Sequence, residues 1–302
     1  MSASSDSLKS ILFALGANFA IALSKTAGAI FTGSSSMLAE AIHSYADCGN
    51  QAMLIWGLKE AKQPPTADHP LGYGKAIYFW SFIVALMLFS MGGLFSIYEG
   101  VHKLHDTEPV QHAWVAVAIL AFGVVAEGVS LWGAVRELNK GRGSKSMWRW
   151  FKESRQSELI VVVGEDIAAL AGLTLALCFV LLSMATGNPV WDAIGSIAIG
   201  AMLVLVAVLV GAEVKALLVG QSAEPETLRR IRSFLRARPE VAEVYNVLSQ
   251  QLGGDIMLAI KARMTPQGSE VGLIEAINRV EADLRKEFAQ VRWIFFEPDL
   301  KD

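Results

Sequence analysis

Charged residues are scarce in this sequence. Asp, Glu, Lys and Arg make up 18% of its 302 residues, while 53% are hydrophobic. A chain so poor in charge is unlike an ordinary water-soluble domain, and the composition indicates a membrane protein in contact with a lipid bilayer. The net charge of −3 gives no indication of a nucleic-acid partner, and we expect none.

Cysteine is also scarce. The two cysteines, Cys48 and Cys178, both lie in apolar segments, which argues against a disulfide framework. Cys48 follows Asp47 directly but is displaced from it by about 100° around a helix, so we interpret it as a packing residue.

Six apolar segments are each long enough to cross a bilayer, which takes about 20 residues. They cover approximately residues 10–32, 35–58, 76–100, 113–136, 158–184 and 190–214. The turns at 32–36 and 185–190 contain no Lys or Arg. The positive charges lie near the opposite ends of the segments, at Lys59, Lys62, Lys75, Arg136, Lys140, Arg142, Lys145, Arg149, Lys152 and Arg155. The positive-inside rule therefore predicts a multi-pass protein with both termini in the cytoplasm, and we place it in a bacterial inner membrane.

After residue 214 the charges become frequent and balanced, and no later segment could span a membrane. Pro225 and a periodic apolar face predict a helix that stops before Pro239. Strand-like runs follow at 241–250 and 255–264, then a helix with apolar positions from Ile274, and a last strand from Val291. The predicted fold is therefore a membrane all-α bundle of six transmembrane helices over residues 1–219. A small cytoplasmic α+β domain of order α-β-β-α-β, ferredoxin- or metallochaperone-like, follows over residues 220–302.

The second apolar segment carries ionisable residues at membrane depth: Glu40, His43 and Asp47. Such residues are costly in a bilayer, and they commonly mark an ion pathway. His43 and Asp47 are four residues apart, so a helix places them on one face. An imidazole and a carboxylate so placed form half of a tetrahedral site for a divalent metal.

The first two segments form a hairpin that turns near Gly33. Residues equidistant from the turn lie at similar depth, so Lys25 is predicted at the level of Glu40, where the two would form a structural ion pair. Asn18 is predicted at the level of Asp47, where it could donate a hydrogen bond to metal-binding carboxylates.

Further carboxylates lie in the later segments. Glu165 and Asp166 are adjacent in a very apolar run, where they repel each other unless a cation compensates them. Glu127 is predicted near the depth of Asp47, and we give it a proton-coupling or supporting role. Asp192 opens the sixth segment near the outer surface, where it could cap the helix or act in function.

Several stretches together resemble the cation diffusion facilitator family of metal/proton antiporters, and especially its zinc transporter 9 (solute carrier 30) branch. They are Ser36–Ser44 with Asp47 and Asn50-Gln51, Asp68–Gly74, Glu127-Gly128, Glu153–Arg155, Glu165-Asp166, Thr186–Pro189 and the ending Phe296-Glu297-Pro298. The likeness covers the whole membrane region and, more loosely, the C-terminal domain. It implies a homodimer that exports a divalent transition metal, most often Zn²⁺, in exchange for protons.

The resemblance also implies a metal site between the second and fifth helices, with two ligands from each at a four-residue spacing. His43 and Asp47 match the pair on the second helix. On the fifth helix Asp166 matches, but the position four residues earlier is Val162, which cannot bind metal. Glu165, Glu127 or a water would supply the fourth ligand, with Glu165 slightly favoured. Asn50 is expected to support the site.

Relatives often bind regulatory zinc through histidines in the C-terminal domain. All five histidines of this chain precede residue 113, and no cysteine follows Cys178, so we expect no high-affinity zinc cluster there. We interpret His69, in the loop Asp68–Gly74, as structural.

The predicted function is proton-coupled efflux of a divalent transition metal, with Zn²⁺ favoured and Mn²⁺, Fe²⁺ or Co²⁺ as alternatives. The metal is the cargo, and no resident cofactor is expected. A membrane metalloenzyme would need a motif such as His-Glu-x-x-His, which does not occur here. A metal-sensing membrane scaffold would not need the intramembrane charges.

Overall fold

The computed structural model describes residues 19–105, 112–143 and 145–301. These residues form two compact units. The first contains the described residues up to Gly57, together with Trp80–Lys145 and Glu158–Glu213; the second contains Leu58–Phe79, Ser146–Ser157 and the chain from Val214 onward. The domain boundary predicted between residues 219 and 220 stays a prediction.

Up to residue 219, the regular elements of the described chain are all helices. In chain order the helices are α1 (Phe19–Thr32), α2 (Ser35–Ala61), α3 (Ala76–His105), α4 (Ala113–Arg142), the short α5 (Met147–Glu153), α6 (Ser157–Thr186) and α7 (Val190–Val219). Within α3, residues Leu88–Leu94 are wound as a π-helix.

Four helical stretches of the described chain are long and apolar enough to cross a membrane: Ala76–His105, Ala113–Gly133, Ser157–Thr186 and Val190–Val219. The protein is therefore an integral, multi-pass membrane protein. Helix α2 is 27 residues long but carries ionisable residues in its middle, and only 14 residues of α1 lie in the described region. The predicted count of six spans stays a prediction.

The core of the first unit is built where four helices meet. Leu88 of α3, Leu120 of α4, Leu173 of α6 and Leu203 of α7 are each at most 1% exposed and belong to one apolar cluster. In a bilayer this packing holds the helices together by close van der Waals contact. Most of the N-terminal half of α2 is buried too, including the polar residues Glu40, His43 and Ser44.

The C-terminal part of the second unit is a small sheet with two helices. Its elements are α8 (Pro225–Arg236), β1 (Val241–Leu252), β2 (Asp255–Met264), α9 (Glu270–Glu287) and β3 (Val291–Pro298). The strand order is β1-β2-β3, with β2 antiparallel to β1 and parallel to β3. The parallel pair requires a crossover, which α9 provides. The helices and strands predicted after residue 220 are thus present in the predicted order.

The core beside this sheet is centred on β2, in which every second residue from Ile256 to Ala262 is apolar and buried. Ile256, Leu258, Ile260 and Ala262 are each at most 1% exposed. They share one apolar cluster with α8 and α9, through residues such as Ile231. One face of the sheet is therefore sealed by apolar side chains drawn from residues 223–296 of the chain.

Candidate functional site

The imidazole of His43 and the carboxylate of Asp47 lie next to each other on α2. His43 Nε2 and Asp47 Oδ2 are 3.6 Å apart, with side chains 1% and 18% exposed. Within the described residues neither His43 nitrogen has a hydrogen-bond partner, and neither does Asp47 Oδ1. Buried polar atoms without partners are rare and costly. The donor set therefore fits a cation that would satisfy these atoms.

Asp47 faces a cavity of about 110 Å³ that contains four carboxylates. Asp47 comes from α2, Glu127 from α4, and Glu165 and Asp166 from α6. The remaining lining residues are Ile21, Ser44, Gln51, Ala126, Val162 and Ala169. No basic side chain is among these described lining residues, so the cavity attracts cations. Because it is desolvated, the carboxylates repel one another unless a metal ion or protons neutralise them.

The four carboxylates are not equivalent. Glu165 is 6% exposed and accepts a hydrogen bond from Asn50 Nδ2, so the α2 residue Asn50 holds it in place. Asp166, one position further along α6, accepts no such hydrogen bond from the described residues and is more exposed. Val162 lines the same cavity, but its side chain cannot bind metal. A water or a neighbouring carboxylate would therefore have to serve as the fourth ligand.

Lys25 of α1 forms an ion pair with Glu40 of α2. Lys25 Nζ lies 3.3 Å from Glu40 Oε2, and it donates a second bond of 2.8 Å to Ser44 Oγ. Both charged side chains are at most 2% exposed. Glu40 Oε1 packs against Gly172 of α6, where an added Cβ would lie only 2.5 Å away. Gly172 therefore makes room for the buried carboxylate.

The π-helical segment of α3 lies beside His43, which the sequence did not predict. A Cβ on Gly92 would be 3.7 Å from His43 Nδ1, so the widened turn passes directly alongside the imidazole. π-helical turns often occur at functional sites. The paired glycines Gly92-Gly93 are the one local signal that could have drawn attention to it.

Three of the predicted ligands, Asp47, Glu165 and Asp166, line the cavity, but the predicted set does not form a closed coordination sphere. Among the described residues, no three His, Cys, Asp or Glu side chains converge closely enough to hold a metal by themselves. His43 touches Asp47 but is not part of the cavity lining. Asn18 lies outside the described residues. The ligand roles of His43, Asp47, Asp166 and Glu165 stay predictions.

His69 is in the second unit and does not share the cavity. Its ring lies 4.3 Å from that of Tyr73, and its backbone exchanges two hydrogen bonds of 3.2 Å with Thr66. These contacts lie within the loop that contains Asp68–Gly74, and the structural role of His69 stays a prediction.

The helices and the cavity together define a class: a multi-pass membrane protein with an acidic, cation-attracting cavity among its helices. Residues 11–219 match the cation efflux transmembrane domain, and the chain belongs to the cation efflux family, whose members are transporters rather than enzymes. The predicted resemblance to cation diffusion facilitators of the zinc transporter 9 branch is confirmed.

Three relatives illustrate the match. The human proton-coupled zinc antiporter SLC30A9, a mitochondrial protein, is 37% identical over 227 residues, which cover 74% of this chain and 40% of that protein. Metal tolerance protein C4 of Arabidopsis thaliana is 32% identical over 254 residues, which cover 82% of this chain and 54% of that protein. Zinc transporter ZitB of Escherichia coli is 22% identical over 275 residues, which cover 90% of this chain and 82% of that protein. The chain thus spans well under half the length of the human relative.

Proposed function

We propose that this protein exports divalent transition-metal ions in exchange for protons, with Zn²⁺ as the favoured substrate. The observation that carries the proposal is the neighbouring pair of His43 and Asp47, in which both His43 nitrogens and Asp47 Oδ1 have no hydrogen-bond partner among the described residues, beside a cavity lined by three further carboxylates. The names of the relatives, a zinc antiporter and a zinc transporter, support the same substrate class.

The proposed cycle is alternating access around this cavity. Metal enters from the cytoplasm and binds the deprotonated His43, Asp47 and Asp166, with Glu165, Glu127 or a water completing the set. After the helices rearrange, protons compete for the same atoms on the other side and release the metal. The empty site returns protonated, because ionised carboxylates crowded into a desolvated cavity repel one another.

The donor set leaves more than one metal possible. One imidazole among carboxylates suits Zn²⁺, but oxygen-rich sites also suit Mn²⁺, Fe²⁺ and Co²⁺. We therefore propose Zn²⁺ as the first substrate to test and these three ions as the alternatives.

The proposed assembly is a homodimer with six membrane spans per chain. Two observations support six spans: the ion pair between Lys25 of α1 and Glu40 of α2 neutralises charge within the first two helices, and the basic residues lie at one set of helix ends. The same charge bias supports a cytoplasmic location for both termini, and we propose a bacterial inner membrane as the location.

The test is flux through the purified full chain in liposomes with a metal-sensitive dye and a pH dye. Metal uptake should accelerate when the receiving side is made acidic, and metal entry should drive proton exit. Asp47→Asn should abolish both signals. The matched control is Asp68→Asn, which removes a carboxylate from the exposed loop outside the cavity and should transport like wild type.

Metal flux that ignores the pH gradient and moves no protons would reduce the protein to a passive carrier. Absence of metal flux from well-folded protein would favour the metal-sensing scaffold instead.

A further inference from the structure

Asp192, in the first turn of α7, holds the beginning of α2. It is 1% exposed. Ser34 Oγ donates to its Oδ1 at 2.8 Å, and the backbone N–H and Oγ of Ser35 donate to its Oδ2 at 2.8 and 3.0 Å. Its own backbone carbonyl accepts from Ser36 Oγ at 2.8 Å. The capping role that we considered for Asp192 is thus directed at another helix: its carboxylate lies at the N-terminus of α2, where negative charge is favoured.

The same turn of α7 also fastens α3 and α6. Ser196 Oγ donates to the Ser96 carbonyl of α3 at 2.8 Å. Gly195 is packed so tightly that an added Cβ would lie 2.7 Å from Phe179 Cβ of α6 and 2.8 Å from Ser36 Oγ of α2. The turn Asp192–Ser196 therefore contacts three other helices: α2 at its N-terminus, α3 at Ser96 and α6 at Phe179. We call this turn and the serines that it binds the α7 latch.

The latch lies far along α2 from the carboxylate cavity. Ser35 and Asp47 are separated by about 18 Å of helix at 1.5 Å per residue. Between them lie Glu40 and Ser44, both bonded to Lys25, and on this side of Ser44 no described residue of α2 lines the cavity. Hydrogen bonds therefore join α2 to α7 at the latch, and to α1 between the latch and the cavity.

We propose that Asp192 is a positioning residue that keeps this end of the helices closed while the site is loaded from the other end, and that the α7 latch opens to release the metal. The inference rests on the proposed function, because a transporter that works by alternating access must close one end while the other is open. A buried carboxylate that serves two helices suits this role, since its bonds are lost together when the helices separate.

The decisive variant is Asp192→Asn, which keeps the size of the side chain but places an amide where one oxygen accepts hydrogen bonds. Loss of one charge-assisted bond changes an equilibrium by roughly tenfold. The variant should therefore favour the conformation that is open at the latch. The apparent KM for metal offered to the cytoplasmic face should rise roughly three- to tenfold, because less protein is competent to bind there, and the KM at the opposite face should fall.

Inside-out and right-side-out membrane vesicles present the two faces separately. Opposite KM changes at the two faces cannot arise from partial unfolding, which would lower the maximal rate at both. If the two KM values stay equal to wild type, or change in the same direction, the gating role is overturned.

A second variant separates positioning from simple helix capping. Ser34 is the N-cap of α2, since its Oγ accepts from Met37 N at 3.2 Å. Asp192→Ala should change the two KM values in the same directions as Asp192→Asn. Adding Ser34→Asp to Asp192→Ala should restore a carboxylate at the N-terminus of α2, but not the bond to α7, because alanine has no side-chain donor for the new carboxylate. The double variant should regain thermal stability and keep the opposite KM changes. Full recovery of wild-type KM values would show that Asp192 is only a cap.

Hydrogen exchange in lipid nanodiscs gives a readout that does not depend on transport. Asp192→Asn should speed exchange of the amides of residues 35–41 roughly tenfold, while residues 256–262 of the C-terminal sheet exchange as in wild type. If wild type moves no metal but this change is seen, the proposed function fails and the gating role fails with it, while Asp192 is still shown to hold the N-terminus of α2. If wild type transports metal and the exchange is unchanged, the latch is overturned.

Discussion

Replacing either member of the Lys25–Glu40 pair should destabilise the protein more than replacing both together. The variants are Lys25→Met, which removes the charge and keeps the length of the side chain, and Glu40→Gln, which keeps its shape. In each single variant the remaining partner is a charge at most 2% exposed. An uncompensated buried charge is far more costly than a neutral buried side chain.

The magnitude follows from the geometry. At the observed separation of 3.3 Å, the Coulomb attraction is about 5 kcal/mol for an effective dielectric constant of about 20. Each ion also has a desolvation penalty of several kcal/mol, so each single variant should cost about 3–5 kcal/mol and the double variant much less. Ser44→Ala is the matched control: it removes one bond of 2.8 Å to Lys25 and leaves the ion pair, so it should cost only about 1–2 kcal/mol.

The assay is a double-mutant cycle on the purified protein in detergent micelles. Unfolding is driven by titration with sodium dodecyl sulfate and followed by circular dichroism. We expect a coupling energy of at least about 2 kcal/mol between the two positions. Additive effects, with a coupling energy below about 0.5 kcal/mol, would refute a buried pair that compensates its own charges.

Two further predictions concern the site and the C-terminal domain. His43→Ala, Asp47→Ala and Asp166→Ala should each abolish metal flux in liposomes without loss of folded protein, because each removes a donor from the acidic site; wild-type flux from any of them would place the site elsewhere. The fragment 220–302 should fold and self-associate without metal, because its apolar cluster is drawn from its own residues and it contains no His or Cys; stoichiometric, submicromolar Zn²⁺ binding in calorimetry would contradict this.

Local patterns were sufficient to predict most of the secondary structure. The alternation of apolar residues along 255–264 predicted β2 with the bounds observed, because a strand with one buried face reveals its period of two directly. The π-helix at Leu88–Leu94 could not be predicted in this way. A π-helix differs from the surrounding α-helix by one residue in its hydrogen-bonding register. Because the span is largely apolar, its sequence has no periodicity from which this difference could be predicted.

The same contrast holds for the candidate site. The hairpin near Gly33 placed Lys25 at the level of Glu40, since distance from a tight turn fixes depth in two antiparallel helices. The bonds from Ser34 and Ser35 to Asp192 join residues more than 150 positions apart. Their pairing depends on how α7 packs against α2, and no spacing in the sequence records it. Only the presence of Asp192 in an apolar segment marked that position.

The ionisable residues of α2 differ in whether an opposite charge compensates theirs. This difference explains how one helix can both stabilise the fold and line the cavity. Glu40 is paired with Lys25, so together they add little net charge to the interior. Asp47 shares its cavity with three more carboxylates, and no basic side chain is among the described residues that line it. If Lys25 were left unpaired, its positive charge would oppose the entry of a divalent cation near Ser44, to which it is bonded. The ion pair therefore serves the cavity as well as the fold: it removes a repulsive charge from the neighbourhood and leaves the negative charge concentrated where a metal ion or protons can neutralise it.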